Sequence, residues 1–169
     1  MHRYSSLFFV LACTLPMAIG CGQSASETPT SVVASSEFQL TSEPVGALEV
    51  LDVKDQAKDG EPVVVVGRLG GGVNPWVDGR AAFLIVDTRI LPSCDDAGHC
   101  TADCADCAKE MMAASTMIKF LGQDGKVLPV DARKLLGVKE QETVIVQGVA
   151  SRDKSGNVSI AAEGIFVRR

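Results

Sequence analysis

Four cysteines lie close together in one short segment, and their thiols are the groups in the sequence best suited to chemistry. They are Cys94, Cys100, Cys104 and Cys107, with His99 directly before Cys100. Two disulfides that fix a long insertion are the first interpretation, because disulfides form and persist in exported proteins. Cys104 and Cys107 would share one face of a helix but point apart, so we expect each to bond to a cysteine of the preceding loop.

A metal site is the second interpretation of this cluster. Four thiolates, or three with His99, could hold zinc tetrahedrally, while thiolates beside Met111 and Met112 would suit Cu(I). The gaps of five, three and two residues between successive cysteines differ from standard zinc modules, which have two short-spaced pairs far apart.

A redox dithiol is the third interpretation, since Cys104 and Cys107 have the C-x-x-C spacing, although without the βαβ pattern of thioredoxins. We expect no cofactor unless zinc or copper occupies this cluster.

A glycine-rich segment from residue 70 to residue 80 contains the only tryptophan, Trp76, followed closely by Arg80. Such a tryptophan can offer a stacking face to a ligand, but more often it closes one end of a barrel. We take Trp76, Arg80 and Arg68 as candidate ligand-binding residues. No Ser-His-Asp or paired-carboxylate pattern stands out in the sequence, and it has only two histidines. We therefore predict no catalytic residues and no enzymatic activity.

Length and charge limit the possible classes of protein. The 169 residues, 46% of them hydrophobic, have room for one ordinary domain after any export signal. The 16 Lys and Arg against 21 Asp and Glu give a formal net charge of -5, which provides no basic surface for a phosphate backbone. We expect no nucleic-acid partner.

The N-terminus has the pattern of an export signal. His2 and Arg3 precede an apolar stretch over residues 7–20, which is too short to span a bilayer as a stable helix. Small residues directly before Cys21 resemble the lipobox of bacterial lipoproteins. The resemblance implies a signal peptide over residues 1–20, then Cys21 carrying acyl chains such as palmitate and anchoring the protein to a membrane of the bacterial cell envelope, facing the periplasm or the exterior.

Two other ways of processing this N-terminus stay open. Residues 10–13 also resemble a lipobox but leave a short hydrophobic core, and ordinary signal peptidase would release a soluble protein with Cys21 as a free thiol. Cysteine parity favours lipidation, because removing Cys13 with the signal and committing Cys21 to lipid leaves an even four of the six cysteines. Residues 21–44 are rich in Ser, Thr, Ala and Pro, which predicts a lipidated flexible tether.

Short valine-rich runs separated by turn residues predict five strands between residues 45 and 169. We place them at residues 62–69, 81–86, 117–121, 143–149 and 158–167. Asp131 should cap a short helix that ends before Gly137, and residues 47–57 form either a lead-in helix or an irregular strand. A cysteine-rich insertion covers residues 92–115, with a helix over 102–114. Eight residues should be largely buried: Val64, Val66, Phe83, Ile85, Ile118, Val144, Val146 and Ile160.

The order of these elements resembles the OB-fold superfamily. Residues 64–69 are similar to its opening strand, residues 136–148 to its passage from helix to strand, and residues 47–69 to the start of small exported bacterial OB-fold proteins. The resemblance implies a mainly β protein: a five-stranded Greek-key barrel, with the short helix between strands 3 and 4 and the cysteine-rich insertion between strands 2 and 3. Another small barrel or a sandwich would accommodate the same strands.

These observations predict a membrane-anchored lipoprotein that acts as a non-enzymatic OB-fold module. Its partners would be the membrane, through the lipid anchor, and a protein or small molecule that the sequence does not identify, since function resides in sites and not in the fold. A metal-handling lipoprotein that uses zinc or copper at the cysteine cluster, and an envelope thiol redox protein, are the alternatives from other classes.

Overall fold

The computed structural model describes residues 35–70, 74–90 and 105–169, and the side chains of all these except residues 35 and 105–107. Strands dominate the described residues, and the helices are short. The strands are β1 (Leu48–Glu49), β2 (Pro62–Leu69), β3 (Ala82–Val86), β4 (Ser115–Phe120), β5 (Thr143–Arg152) and β6 (Val158–Arg168). The helices are α1 (Val50–Gln56), α2 (Ala105–Ala113) and α3 (Ala132–Leu136), with one 3-10 turn at Ser35–Glu37.

Five of the strands close into a barrel in the order β2-β3-β4-β6-β5, and β5 pairs again with β2. β4 and β6 run parallel, while the other four pairings around the barrel are antiparallel. The strands β2 to β6 are the five predicted from the sequence. The mainly β, OB-fold-like Greek-key barrel with a short helix between its third and fourth strands is therefore confirmed.

The barrel interior is filled by alternate residues of each strand, as the period of a β-strand requires. Phe83, Ile85, Ile118, Val144, Val146 and Ile160 all lie in the main core, as predicted. Along β2 the inward residues are Val65 and Leu69, whereas Val64 is only half-buried, so its assignment to the core is wrong. Val66 is buried outside the main core. A run of four valines carries no polar residue that would reveal which face turns inward.

Helix α3 begins and ends where its capping residues predict, whereas α1 has no side-chain cap of its own. The Asp131 carboxylate accepts a hydrogen bond from the backbone N–H of Arg133, and Gly137 ends α3 with a φ of 68°. The sequence predicts either a helix or an irregular strand over residues 47–57. The structure has both, because β1 is followed directly by α1. The Glu49 side chain does not cap α1; instead Asp87, at the end of β3, accepts from the Leu51 N–H at 2.9 Å.

The folded unit extends further towards the N-terminus than residue 45. Phe38 is buried in the barrel core, and its ring packs edge-on against Phe120 with the centroids 4.9 Å apart. Gln39 forms a parallel bridge with Ile165 on β6. Residues 35–44, here called the N-terminal arm, thus lie within the barrel unit, and the sequence-predicted boundary between residues 44 and 45 falls inside it.

The insertion between β3 and β4 returns to the barrel through α2, so the expected helix is present over the part that the structure describes. Residues 91–104 lie outside the described residues, and with them most of the predicted cysteine-rich insertion. Met111, Ala114 and Val86 form a small buried cluster of their own, against which Ile90 packs. Within the described ranges, the helices are too short or too polar to cross a lipid bilayer.

Candidate functional site

An open groove of about 600 Å³ lies on the outer surface of the barrel, across β3, β4 and β6. The strand register forms its floor. Lys119 on β4 pairs with Ala82 on β3 and with Ala161 on β6, so its long side chain has a small residue on each side. Two residues earlier on β4, Met117 pairs with Ser159. Small side chains beside two long ones leave a depression in the sheet surface.

Two loops provide the walls of the groove. Val77 and Arg80 come from the segment before β3, and Leu121, Lys126 and Val127 come from the hairpin after β4. Leu121 and Val127 form an isolated β-bridge that holds this hairpin closed. The Arg80 guanidinium donates a long hydrogen bond, 3.5 Å, to the backbone carbonyl of Val127. The two walls therefore approach each other at Arg80.

The polar groups of the groove are cations and hydroxyls. The side chains concerned are Arg80, Lys119, Lys126, Ser151 and Ser159. The Lys119 ammonium donates to the Ser159 hydroxyl oxygen at 3.1 Å. Among the described residues, no Asp or Glu lines the groove. Lys126, which does line it, forms an ion pair with Asp124 at 3.6 Å, and both side chains are largely exposed. The groove is locally cationic although the whole chain carries a formal charge of -5.

One of the three predicted ligand-binding residues, Arg80, lines this groove. Arg68 on β2 instead donates to the backbone carbonyl of Ile90 at 3.1 Å, next to the start of the insertion. Trp76 lies in the barrel core. The structure therefore does not bring the three side chains together into one site.

Trp76 has the packing role that the sequence favoured for it. The residue is 8% exposed, its ring is 5.8 Å from that of Phe83, and its indole N–H donates to the Glu140 carboxylate at 3.0 Å. The Arg133 guanidinium lies 5.3 Å from the ring centroid. A hydrogen bond from Arg133 also lowers the pKa of Asp131 to about 2. The indole presents almost no free face on which a ligand could stack.

A second polar cluster fixes the root of the insertion. The buried Asp87 carboxylate accepts from the Arg89 side chain and from two backbone N–H groups, those of Leu51 and Arg89. On the other side of the root, the Lys54 ammonium donates to the backbone carbonyls of Ala113 and Ser115. Both ends of the insertion are thus held by Asp87, directly after β3, and by Lys54 of α1.

The predicted cysteine and lipid sites lie outside what the structure describes. Cys21, Cys94, His99, Cys100 and Cys104 fall in residues that it does not describe, and of Cys107 only the backbone in α2 is described. Neither the predicted disulfides nor a metal at this cluster is tested. Within the described ranges, no three His, Cys, Asp or Glu side chains come together as a metal site would require.

Sequence reasoning missed most of the residues that line the groove. Met117 and Lys119 were visible as the outward-facing positions of the third predicted strand, because they alternate with Ile118 and Phe120. Their relation to Ser159 depends on the parallel pairing of β4 and β6, which strand patterns alone do not fix. The useful signal was a lysine in the middle of an apolar strand.

No protein-family model and no curated protein matches the chain.

Proposed function

We propose that this protein is a non-enzymatic ligand-binding module of the bacterial cell envelope. A lipid on Cys21 anchors it to a membrane, and the groove over β3, β4 and β6 is its binding site. The observation that carries the proposal is the groove itself. It combines an apolar floor with hydrogen-bond donors on a rigid sheet, and ligand sites commonly pair apolar surface with a few placed polar groups. In OB-folds this face of the barrel often binds ligands.

The rigidity of the floor supports the proposal. Lys119 lies on β4 and Ala161 on β6, and the two strands pair with each other over four residues. Ile118 and Ile160 of the same strands are fully buried below the groove floor. A site built on strands keeps its geometry better than one built on loops. The groove therefore needs little ordering before a ligand binds, which lowers the entropic cost of binding.

Blocking the groove tests this part of the proposal. Ala161 is half-buried on the floor, so Ala161→Phe should fill the space beside Lys119. We expect a small-molecule extract of the cell envelope to shift backbone amide signals of β3, β4 and β6 in an NMR titration, and Ala161→Phe to abolish these shifts. Gln147→Phe, at an exposed position of β5, is the matched control. Shifts confined to other parts of the barrel would contradict the assignment.

The anchor is tested separately. Lipidation would retain the protein in the membrane fraction, so Cys21→Ser should release it into the soluble fraction or stall its processing. Intact-mass measurement of the mature chain gives the modification directly. An unmodified mature chain that begins elsewhere would overturn the anchor and leave the groove proposal standing.

A further inference from the structure

The polar side chains of the groove are arranged to donate hydrogen bonds. Lys119, Lys126 and Arg80 are donors without acceptor capacity. The Ser159 oxygen accepts from the Lys119 ammonium, and among the described residues its hydroxyl hydrogen has no acceptor, so it can be donated to a ligand. The site holds Lys119, Arg80 and the Asp124-paired Lys126, together with hydroxyls, and none of the described residues that line it is a carboxylate. Such a site complements a ligand group that only accepts and carries negative charge.

Apolar side chains make up the rest of the lining, so an anionic group alone would not fill the groove. Met117 and Ala161 form the floor, while Val77, Leu121 and Val127 form the walls. Val77 is one of the few large apolar side chains in the described residues that are exposed, at 36%. Burial of this surface is favourable only against an apolar part of the ligand, at roughly 25 cal/mol per Å².

Size and net charge restrict the ligand further. A space of about 600 Å³ is typical of a small-molecule site. The formal charge of -5 opposes the approach of long polyanions, so attraction to a negative group is confined to short range around Lys119 and Arg80. A small anion with an apolar portion satisfies both conditions, whereas a nucleic acid or an acidic polymer does not.

We propose that the groove binds an amphiphilic organic anion of small-molecule size, with its carboxylate or phosphate group between Lys119, Ser159 and Arg80 and its apolar portion over Met117 and Val127. The inference rests on the proposed function, because it specifies the ligand class of the same groove. Such a ligand has two parts, an acceptor-only anionic head and an apolar tail.

Three probes test the two parts separately: octyl phosphate, inorganic phosphate and octyl glucoside, each below its micelle concentration. The full chain carrying Cys21→Ser is used so that no detergent is needed, and backbone amide shifts report where each probe binds. We expect octyl phosphate to shift amides of β3, β4 and β6, with an affinity at least tenfold above that of the other two probes. Lys119→Gln should weaken octyl phosphate binding about tenfold, since it removes a charge-assisted hydrogen bond.

Lys58→Gln is the matched control, because Lys58 is exposed and does not line the groove. We expect it to change the affinity less than twofold. Equal binding of octyl glucoside in the groove, or no effect of Lys119→Gln, would overturn the anionic ligand class and leave the groove as a binding site. Inorganic phosphate binding as tightly as octyl phosphate would overturn the requirement for an apolar portion. No shift of groove amides with any probe would overturn the ligand class and count against the groove itself.

Discussion

Asp87 is a buried carboxylate that connects the end of β3, the start of α1 and the root of the insertion. Burial by itself would raise the pKa of Asp87. This effect is outweighed by hydrogen bonds from the Arg89 side chain and from the backbone N–H groups of Leu51 and Arg89, together with the positive charge of Arg89. The pKa of Asp87 is therefore lowered. Since α1 has no side-chain cap of its own, the charged form of Asp87 holds the start of this helix against the end of β3.

Asp87→Asn should destabilise the protein at neutral pH by about 2 kcal/mol, because the buried donors lose a charged acceptor. The pKa of Asp87 is lower in the folded than in the unfolded state, where it is near 3.8. The Asp87 carboxylate therefore contributes fully to the unfolding free energy above the unfolded-state pKa, and this contribution is lost as the pH falls through the folded-state pKa. The difference in unfolding free energy between Asp87→Asn and the wild type should therefore become smaller below about pH 4. Urea unfolding at pH 7 and at pH 2.5 measures it.

The exposed Asp55 of α1 provides the control for this measurement, since Asp55→Asn changes the same charge at the surface. We expect Asp55→Asn to cost less than about 0.5 kcal/mol at either pH. A penalty for Asp87→Asn that is constant from pH 7 to pH 2.5 would show that the carboxylate charge does not hold α1.

Gly148 is required by the close approach of β5 and β6. The strand register shifts between Gln147 and Gly148, and a Cβ atom at residue 148 would lie 2.2 Å from the backbone oxygen of Ala161. The opposing atom belongs to a paired strand of the barrel and cannot move as a side chain could. Gly148→Ala should therefore cost about 3 kcal/mol or more in unfolding free energy. The neighbouring exposed position provides the control, Gln147→Ala, which should change stability little.

Single residues also show what a sequence reveals about a site. Arg80 was predicted as a ligand contact and lines the groove, because it follows turn residues at the start of a strand. Trp76 was also a candidate ligand contact, although the sequence favoured a packing role for it, and its contacts with Phe83 and Glu140 confirm the packing role. Glu140 is 64 residues away along the chain, so no local pattern could indicate that contact.

The N-terminal arm supplies a strand-like segment at the point where β4 and β6 cease to pair. β4 pairs with β6 as far as Phe120 and Ala162, and beyond this point Ile165 exchanges backbone hydrogen bonds with the arm at Phe38 and Leu40. The Gln39 side chain also donates to the backbone carbonyl of Leu136. The arm thus occupies the seam between the third and fifth strands of the barrel.

Phe38→Ala should cost about 3 to 4 kcal/mol, because the ring is 9% exposed and packs against Phe120 in the core. The exposed neighbour Glu37 gives the control substitution, Glu37→Ala, which should cost less than about 0.5 kcal/mol. Denaturant unfolding of both variants provides the comparison. A loss below 1 kcal/mol for Phe38→Ala would mean that the arm adds little to the barrel.

Elements with strong local signals were predictable, and those defined by distant partners were not. α3 has Asp131 at its start and Gly137 at its end, so its limits follow from the sequence. The arm lies in a tract of Ser and Thr that predicts a tether, and Phe38 alone indicates otherwise. The packing of Phe38 against Phe120 and the pairing of Gln39 with Ile165, both far along the chain, show that the arm belongs to the fold.

The barrel closes through strand pairings that do not include the segment carrying the cysteines. β3 and β4 pair from Val86 and Ser115 onward, and the Asp87 N–H donates to the Ala114 carbonyl at 3.0 Å. The insertion therefore leaves and rejoins the barrel at neighbouring residues. Met111 fixes its returning helix from within a small buried cluster that is separate from the main core.

This separation determines what the cysteines are expected to do. We predict that Cys94, Cys100, Cys104 and Cys107 form two disulfides that order the insertion alone, because the root contacts of Asp87 and Lys54 are made between described residues outside the cysteine segment. Hydrogen exchange measured by mass spectrometry, before and after reduction, should show faster exchange in peptides of the insertion and unchanged exchange in β2 to β6. Reduction that unprotects the barrel strands would contradict this independence. Non-reducing peptide mapping that finds four free thiols, with one equivalent of bound zinc or copper in the same sample, would replace the disulfides by a metal site.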